Sequence, residues 1–158
     1  MIQTNDSIPS IDLKTSLAGE VSDANTTQVF AQGKSVIFGL PGAFTPTCSK
    51  AHLPGFVVNA DNIKAKGVER IACLSVNDAF VMTAWAKASN ADEITMLADG
   101  NGDFSKALGL DFDGSKFGMG LRCARFAAII DQGVLTHLFV EGPGEFEASS
   151  AENILKHL

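Results

Sequence analysis

Five short apolar runs, rich in branched or aromatic residues, punctuate the chain. They are Ser35–Leu40, Arg70–Val76, Thr95–Ala98, Arg125–Ile130 and Val134–Val140, and their length and composition predict buried strands. Asp131-Gln132-Gly133 separates the last two, which is hairpin spacing. Between the runs the pattern turns helical. A helix is expected from Pro46 to Gly67 through Phe56, Val57, Ala60 and Ile63, with Pro54-Gly55 kinking or interrupting it. Asn77 or Asp78 caps a second helix with a stripe of Val81, Ala84, Trp85 and Ala88. Phe104–Leu108 reads as a helical turn, and the capping stretch Ser149–Glu152 starts a last helix with Ile154, Leu155 and Leu158 inward. The first 33 residues are turn-rich and suit an edge hairpin, while Asp111–Gly120 reads as a loop bordering the functional site. Asp99–Asp103 superficially resembles the start of a calcium loop. Phe104 stands where that loop needs Gly and Leu110 where it needs Glu, so a glycine-rich turn is the reading.

Strands alternating with helices and ending in a hairpin predict an α/β domain with a central mixed sheet flanked by helices, of thioredoxin-like type. The 158 residues, 46% hydrophobic and 19% charged, suit one domain over residues 1–158 that buries roughly 70% of its unfolded surface. Twelve Lys and Arg stand against 18 Asp and Glu, a net charge of -6. That leaves no basic field for a phosphate backbone or an anionic membrane, so neither nucleic acid nor membrane is expected as a partner. The N-terminus has no charged and apolar leader pattern, and no apolar run approaches membrane-spanning length, so a cytoplasmic protein is expected.

The chemistry concentrates in Pro41-Gly42-Ala43-Phe44-Thr45-Pro46-Thr47-Cys48, a strand-to-helix loop. Thr45 is placed as N-cap and Pro46 as the first helical residue. Cys48 then falls at the third helical position, where an acceptor usually meets free backbone N–H groups. An ordinary thiol, with a pKa of ~8.5, is only a few per cent ionised at neutral pH. The positive end of a helix favours the reactive thiolate. Against this stands the commoner fate of a lone cysteine as a small core residue, which is how Cys73, in the second apolar run, is read. Cys48, Cys73 and Cys123 are odd in number and contain no C-x-x-C, so neither a disulfide framework nor a dithiol exchange motif is expected. Cys48 and His52 are four apart on one helix face, but two ligands do not make a site, and no metal or cofactor is expected.

These residues resemble the peroxiredoxins, and specifically the type II subgroup, small thioredoxin-fold thiol peroxidases. The pattern Pro-x-x-x-Thr-x-x-Cys is met by Pro41, Thr45 and Cys48. Further similarity runs through Leu53–Phe56, Val76–Val81, Ala98–Gly100, Lys106–Leu110 and Arg122–Arg125, and so covers most of the chain from about Gly33 onward. The resemblance implies that Cys48 is the peroxidatic nucleophile, that Thr45 places its hydroxyl on the peroxide, that Pro41 shields the pocket, and that Arg125 is the family arginine. It further implies hydrogen peroxide and alkyl hydroperoxides as substrates, and a homodimer. A guanidinium beside the helix start would hold the thiolate and donate to both peroxide oxygens. Arg122 is the weaker candidate for that role.

Cys123 stands where the subgroup usually has Ser, and no cysteine follows it. A strand-centre Cys73 cannot reach a helix start without local unfolding. One-cysteine chemistry is therefore expected, with glutathione and glutaredoxin, or thioredoxin, as the external reductant. Two alternatives remain open at this point. One is an acyl-transfer enzyme in which His52 or His137 activates Cys48; the other is a redox-sensing or holdase module on the same fold.

Overall fold

Alternation of side chains across strands builds the two cores of this molecule. In the computed structural model, which describes residues 1–158, seven strands form one mixed sheet: β1 (Asp12–Leu17), β2 (Glu20–Asn25), β3 (Lys34–Gly39), β4 (Val68–Ser75), β5 (Thr95–Ala98), β8 (Phe126–Asp131) and β9 (Val134–Val140), in the order β2-β1-β5-β4-β3-β8-β9. β4 runs parallel to β3 and β5, and β8 pairs antiparallel with β3. Val36, Phe38, Ile71, Cys73, Ala127 and Ile129 face one core, and Ile37, Ala72, Leu74, Phe126, Ala128 and Ile130 face the other, the period of two that pleated strands impose. This is the thioredoxin-like α/β fold expected above.

The first core is covered by α2 (Leu53–Ala65), α3 (Ala79–Ala88) and α5 (Ala151–Leu155), and the second by α4 (Asp103–Leu108) and the segment around the short helix α1 (Thr26–Val29). Several caps follow the expected chemistry. Asp78 accepts from the Val81 N–H at 2.8 Å and Ser150 from the Asn153 N–H at 3.2 Å. The glycine-rich turn is organised by buried Asp99, whose carboxylate accepts from the Phe104 and Ser105 amides and the Ser105 hydroxyl at 3.0, 2.8 and 2.7 Å. The N-terminal hairpin is β1–β2, with β2 at the sheet edge.

Three expectations are corrected. Of the two readings offered for Pro54-Gly55, a kink or an interruption, the interruption is ruled out. The chain is helical from Pro46 to Ala65, and Cys48–His52 forms a π-helical turn in which the Leu53 N–H bonds back to the Cys48 carbonyl. The widened turn absorbs the missing N–H and the ring of Pro54 just downstream. In α3 the buried face is Ala79, Met82, Trp85 and Ala86, not Val81, Ala84 and Ala88. Thr83 is the only polar residue from Ala79 to Ala86, so periodicity had no contrast with which to choose a phase. Asp111–Gly120 is not a bare loop. It holds β6 (Asp111–Asp113) and a 3₁₀ turn (Ser115–Phe117), and β6 pairs with β7 (Leu121–Cys123). Cys123 is the last residue of β7.

Candidate active site

β3 delivers the chain into the centre of the sheet's upper edge, and the loop after Gly39 is held from two sides. The Ala43 N–H donates to Asn77 Oδ1 at 3.0 Å, which also accepts from the Ser75 hydroxyl at 2.6 Å. The Arg122 guanidinium donates through Nε to the Met119 carbonyl at 2.9 Å and through Nη1 to the Pro41 carbonyl at 3.4 Å, linking the β6–β7 segment to the loop. A Cβ at Gly42 would lie 2.9 Å from Arg122 Nη1, so glycine makes room for this brace. Phe44 turns the loop with a φ of +64°, an uncommon value outside glycine.

Thr45 occupies the position just before the helix, as expected, but its hydroxyl donates to the Gly42 carbonyl at 2.7 Å. The left-handed turn at Phe44 brings that carbonyl within reach, so the hydroxyl closes the loop rather than capping the helix. Pro46 does open the helix. Cys48 is only 1% exposed, and its Sγ accepts from Arg125 Nη2 at 3.1 Å. Arg125 stands immediately before β8. Its Nη1 lies 2.9 Å from His52 Nδ1, and His52 Nε2 lies 3.0 Å from the Ser149 carbonyl. A carbonyl only accepts, so Nε2 carries the proton and Nδ1 receives the guanidinium's. Burial, followed by the charge of Arg125, pushes the His52 pKa down to about 3, and the neutral imidazole supports a cation without competing with it.

His52 packs between Phe38, Phe56 and Phe146, with ring centroids 5.0, 5.7 and 5.0 Å away. The Arg125 guanidinium lies 5.8 Å from the Phe146 ring centroid, within cation–π range. The segment bearing Phe146 is tied down by Glu141, whose carboxylate accepts from the Ser149 hydroxyl and from the amides of Glu147, Ala148 and Ser149. Burial alone would raise the Glu141 pKa, but these hydrogen bonds, led by those from Ser149, hold it below the usual value. On the other side Trp85 Nε1 donates to the Ser49 hydroxyl at 3.0 Å.

The fold thus brings Pro41, Thr45, Cys48 and Arg125 to one place, with Arg125 rather than Arg122 on the sulfur. His52 was considered above only as a metal ligand or base. Its Nδ1 is occupied by a guanidinium, so it serves neither purpose toward Cys48, and its four-residue spacing from Cys48 was the available signal. Asn77 and Ser149 had no comparable signal. Chemically, a sulfur with one guanidinium N–H on it at a helix start can attack an electrophile whose leaving group needs charge stabilised. An oxygen–oxygen bond is such an electrophile.

The redoxin family model matches residues 3–155. Reduced Prx3 of Vibrio vulnificus, solved in complex with hydrogen peroxide, is 52% identical, superposes with a TM-score of 0.95 and covers 99% of both chains. Arabidopsis thaliana peroxiredoxin-2D is 50% identical over 130 residues, covering 81% of this chain and 80% of its own. The chain belongs to the peroxiredoxins, the thiol peroxidases. Arabidopsis thaliana chloroplastic peroxiredoxin-2E is 46% identical over 143 residues, and the match spans 89% of this chain but 61% of that relative. As a peroxiredoxin this chain falls with the type II relatives, and no helix in it is long and apolar enough to cross a membrane.

Proposed function

We propose that this peroxiredoxin reduces hydrogen peroxide and alkyl hydroperoxides through Cys48, with residues 1–158 acting as one domain. The Cys48 thiolate attacks one peroxide oxygen. The S–O bond forms as the O–O bond breaks, and the leaving oxygen takes a proton and departs as water or alcohol, leaving Cys48 as a sulfenic acid. The observation that carries this reading is the 3.1 Å contact from Arg125 Nη2 to Cys48 Sγ, backed by a neutral His52. Arg125 holds the thiolate and donates to the peroxide, and the Thr45 hydroxyl positions it once turned from the Gly42 carbonyl. Pro41 screens the sulfur from water. Hydrogen peroxide as substrate draws support from the ligand of the Vibrio vulnificus relative.

An external thiol completes the cycle. It condenses with the sulfenic acid to a mixed disulfide and water, and a second thiol releases Cys48 as the external disulfide forms. Glutathione with glutaredoxin, or thioredoxin, is the reductant we assign, because Cys73 and Cys123 are both fully buried. A compartment with such a reducing pool, the cytoplasm, is the proposed setting. Purified protein with dithiothreitol should consume hydrogen peroxide rapidly, and Cys48→Ser should abolish turnover while leaving the fold intact. Full activity in that variant would sink the mechanism, whereas no consumption by the wild type would leave the sensing or holdase role as the better reading.

Homodimerisation is part of the proposal. Phe44, Phe80 and Phe117 are 57%, 85% and 74% exposed, an amount of open aromatic surface that self-association would cover. Light scattering at micromolar concentration should give twice the chain mass; a monomer throughout would refute it.

A further inference from the structure

One peptide in the loop before the catalytic helix is gripped at both ends. The Gly42–Ala43 bond is trans, so its N–H and its carbonyl point in opposite directions. The Ala43 N–H donates to Asn77 Oδ1 at 3.0 Å. The Gly42 carbonyl accepts from the Thr45 hydroxyl at 2.7 Å and from the Thr45 N–H at 3.4 Å. Any rotation of this peptide therefore moves the point to which Thr45 is tied. Asn77 is built to resist such a rotation. An N–H only donates, so the amide oxygen of Asn77 faces Ala43, and the same oxygen accepts from the Ser75 hydroxyl at 2.6 Å. Ser75 is fully buried at the end of β4, and its carbonyl accepts from the Asp99 N–H at 3.0 Å. On the other side of Asn77, Asp78 caps α3. Strand end and helix cap thus fix the backbone around Asn77, and a buried hydroxyl fixes its amide.

We infer that Asn77 is a positioning residue of the peroxidase reaction, holding the Gly42–Ala43 peptide so that Thr45 meets the peroxide in line with Cys48. The inference rests on the peroxidase reading above. Asn77 makes no bond to Cys48 or Arg125, whose own contact comes from a different part of the sheet, so it acts through the loop and not on the thiolate. When the Thr45 hydroxyl turns to a peroxide, the Thr45 N–H still faces the Gly42 carbonyl, so the hold on this residue outlasts the hydroxyl's own bond. Phe44, between the held peptide and Thr45, has a φ of +64°, a conformation that persists only where its surroundings impose it. Arg122, the loop's other brace, reaches the Pro41 carbonyl one peptide earlier and leaves the Gly42–Ala43 unit to Asn77. A group misplaced by about 1 Å can cost up to about 100-fold in rate, so a peptide that turns freely here is felt in the chemistry.

The test is a double-mutant cycle on the second-order reaction of the reduced full-length protein with hydrogen peroxide, followed by stopped flow. Asn77→Ala should slow the otherwise wild-type protein about tenfold, but a Thr45→Val protein by no more than about twofold, because the group that Asn77 positions is already gone. Asn77→Asp, which keeps an acceptor oxygen for Ala43 and Ser75, should recover most of the rate. The ultraviolet titration of the Cys48 thiolate should be the same in Asn77→Ala as in wild type. Ser75→Ala, which leaves Asn77 in place but frees its amide, should slow the reaction about threefold in the Thr45 background alone, and serves where Asn77→Ala does not fold. Unchanged rates in both Asn77→Ala and Ser75→Ala, equal slowing with and without Thr45, or a slowing matched by a raised thiolate titration would each overturn the assignment. A wild type inert to peroxide would overturn the peroxidase reading itself and this inference with it.

Discussion

Cys48 and Cys73 are both free, both buried and both part of the same core cluster, yet their surroundings are opposite. Cys73 lies within β4, where burial drives its thiol well above the usual range. Cys123, equally buried, is pushed up to about 12, again chiefly by burial. Around Cys48 the chain is just as dry, but a guanidinium N–H is aimed at the sulfur. Burial therefore does not by itself separate a reactive thiol from an inert one. What separates them is whether the dry surroundings include a fixed donor for the charge that must develop. Low dielectric strengthens that donor where it exists and punishes ionisation where it does not.

The sharpest way to break this contrast is to remove the donor. Arg125→Gln should slow the reaction with peroxide by about 10²–10³-fold, as loss of a pre-aimed transition-state donor does elsewhere. Arg122→Gln should have a much smaller effect, because Arg122 braces the Pro41 carbonyl and does not reach the sulfur. Stopped-flow measurement of hydrogen peroxide reduction compares them directly. Equal losses would mean that loop position, and not charge at Cys48, governs the rate.

Removing the support behind the donor should matter less. A hydrogen bond to a charged group is worth about 1.5–3 kcal/mol, so His52→Leu should slow peroxide reduction by about ten- to a hundredfold, with partial recovery in His52→Gln, whose amide can accept from Arg125. The same residue gives a pH signature. His52 has its folded pKa lowered from 6.5 to about 3, so between those values the unfolded chain binds a proton that the folded chain does not. Wild-type stability should be full above about pH 6.5 and decline as pH falls toward 3. Glu141, also depressed, adds a loss at the acid end. Denaturant melts across this range should show a flatter profile in His52→Leu, and an unchanged slope would mean that His52 is not buried as a neutral base.

The smallest effect on turnover is expected on the other side of the contrast. Cys73→Ala and Cys123→Ala should each retain near wild-type turnover with glutathione and glutaredoxin while losing about 1–2 kcal/mol of stability through a small cavity. Mass spectrometry after peroxide treatment should find Cys48 as sulfenic acid or a glutathione adduct. A stoichiometric disulfide from Cys48 to either cysteine, with turnover lost in the matching variant, would make the enzyme a two-cysteine peroxidase.

Much of this molecule could be read from neighbours along the chain. The run Thr95–Ala98 is a strand to the residue, and Pro46 opens the helix. Asp78 and Ser150 cap their helices as their types require, because caps, turns and strand alternation depend on contacts a few residues apart. The family motif likewise lies within eight consecutive residues. Where the pattern was degenerate, as in the nearly all-apolar α3, local information ran out, and packing against the sheet chose the buried face. The bond from Thr45 also escaped, because the backbone turn at Phe44 redirected a hydroxyl that capping rules aim at the helix.

The alignment of charge at the sulfur belongs to the tertiary structure alone. Arg125 reaches Cys48 across 77 residues and His52 across 73, and His52 reaches Ser149 across 97. No local propensity encodes such pairs. They arise because β8 lies antiparallel beside β3, setting the residue before one strand near the helix that follows the other, and because Glu141, accepting from the Ser149 N–H and hydroxyl, fixes the residue whose carbonyl meets His52. The residue types needed for the chemistry were visible in the chain. The family resemblance had also singled out Arg125 over Arg122, but its placement at hydrogen-bond distance from the thiol, with a neutral histidine behind it, depended on strand pairing and on the dry core that keeps the imidazole uncharged.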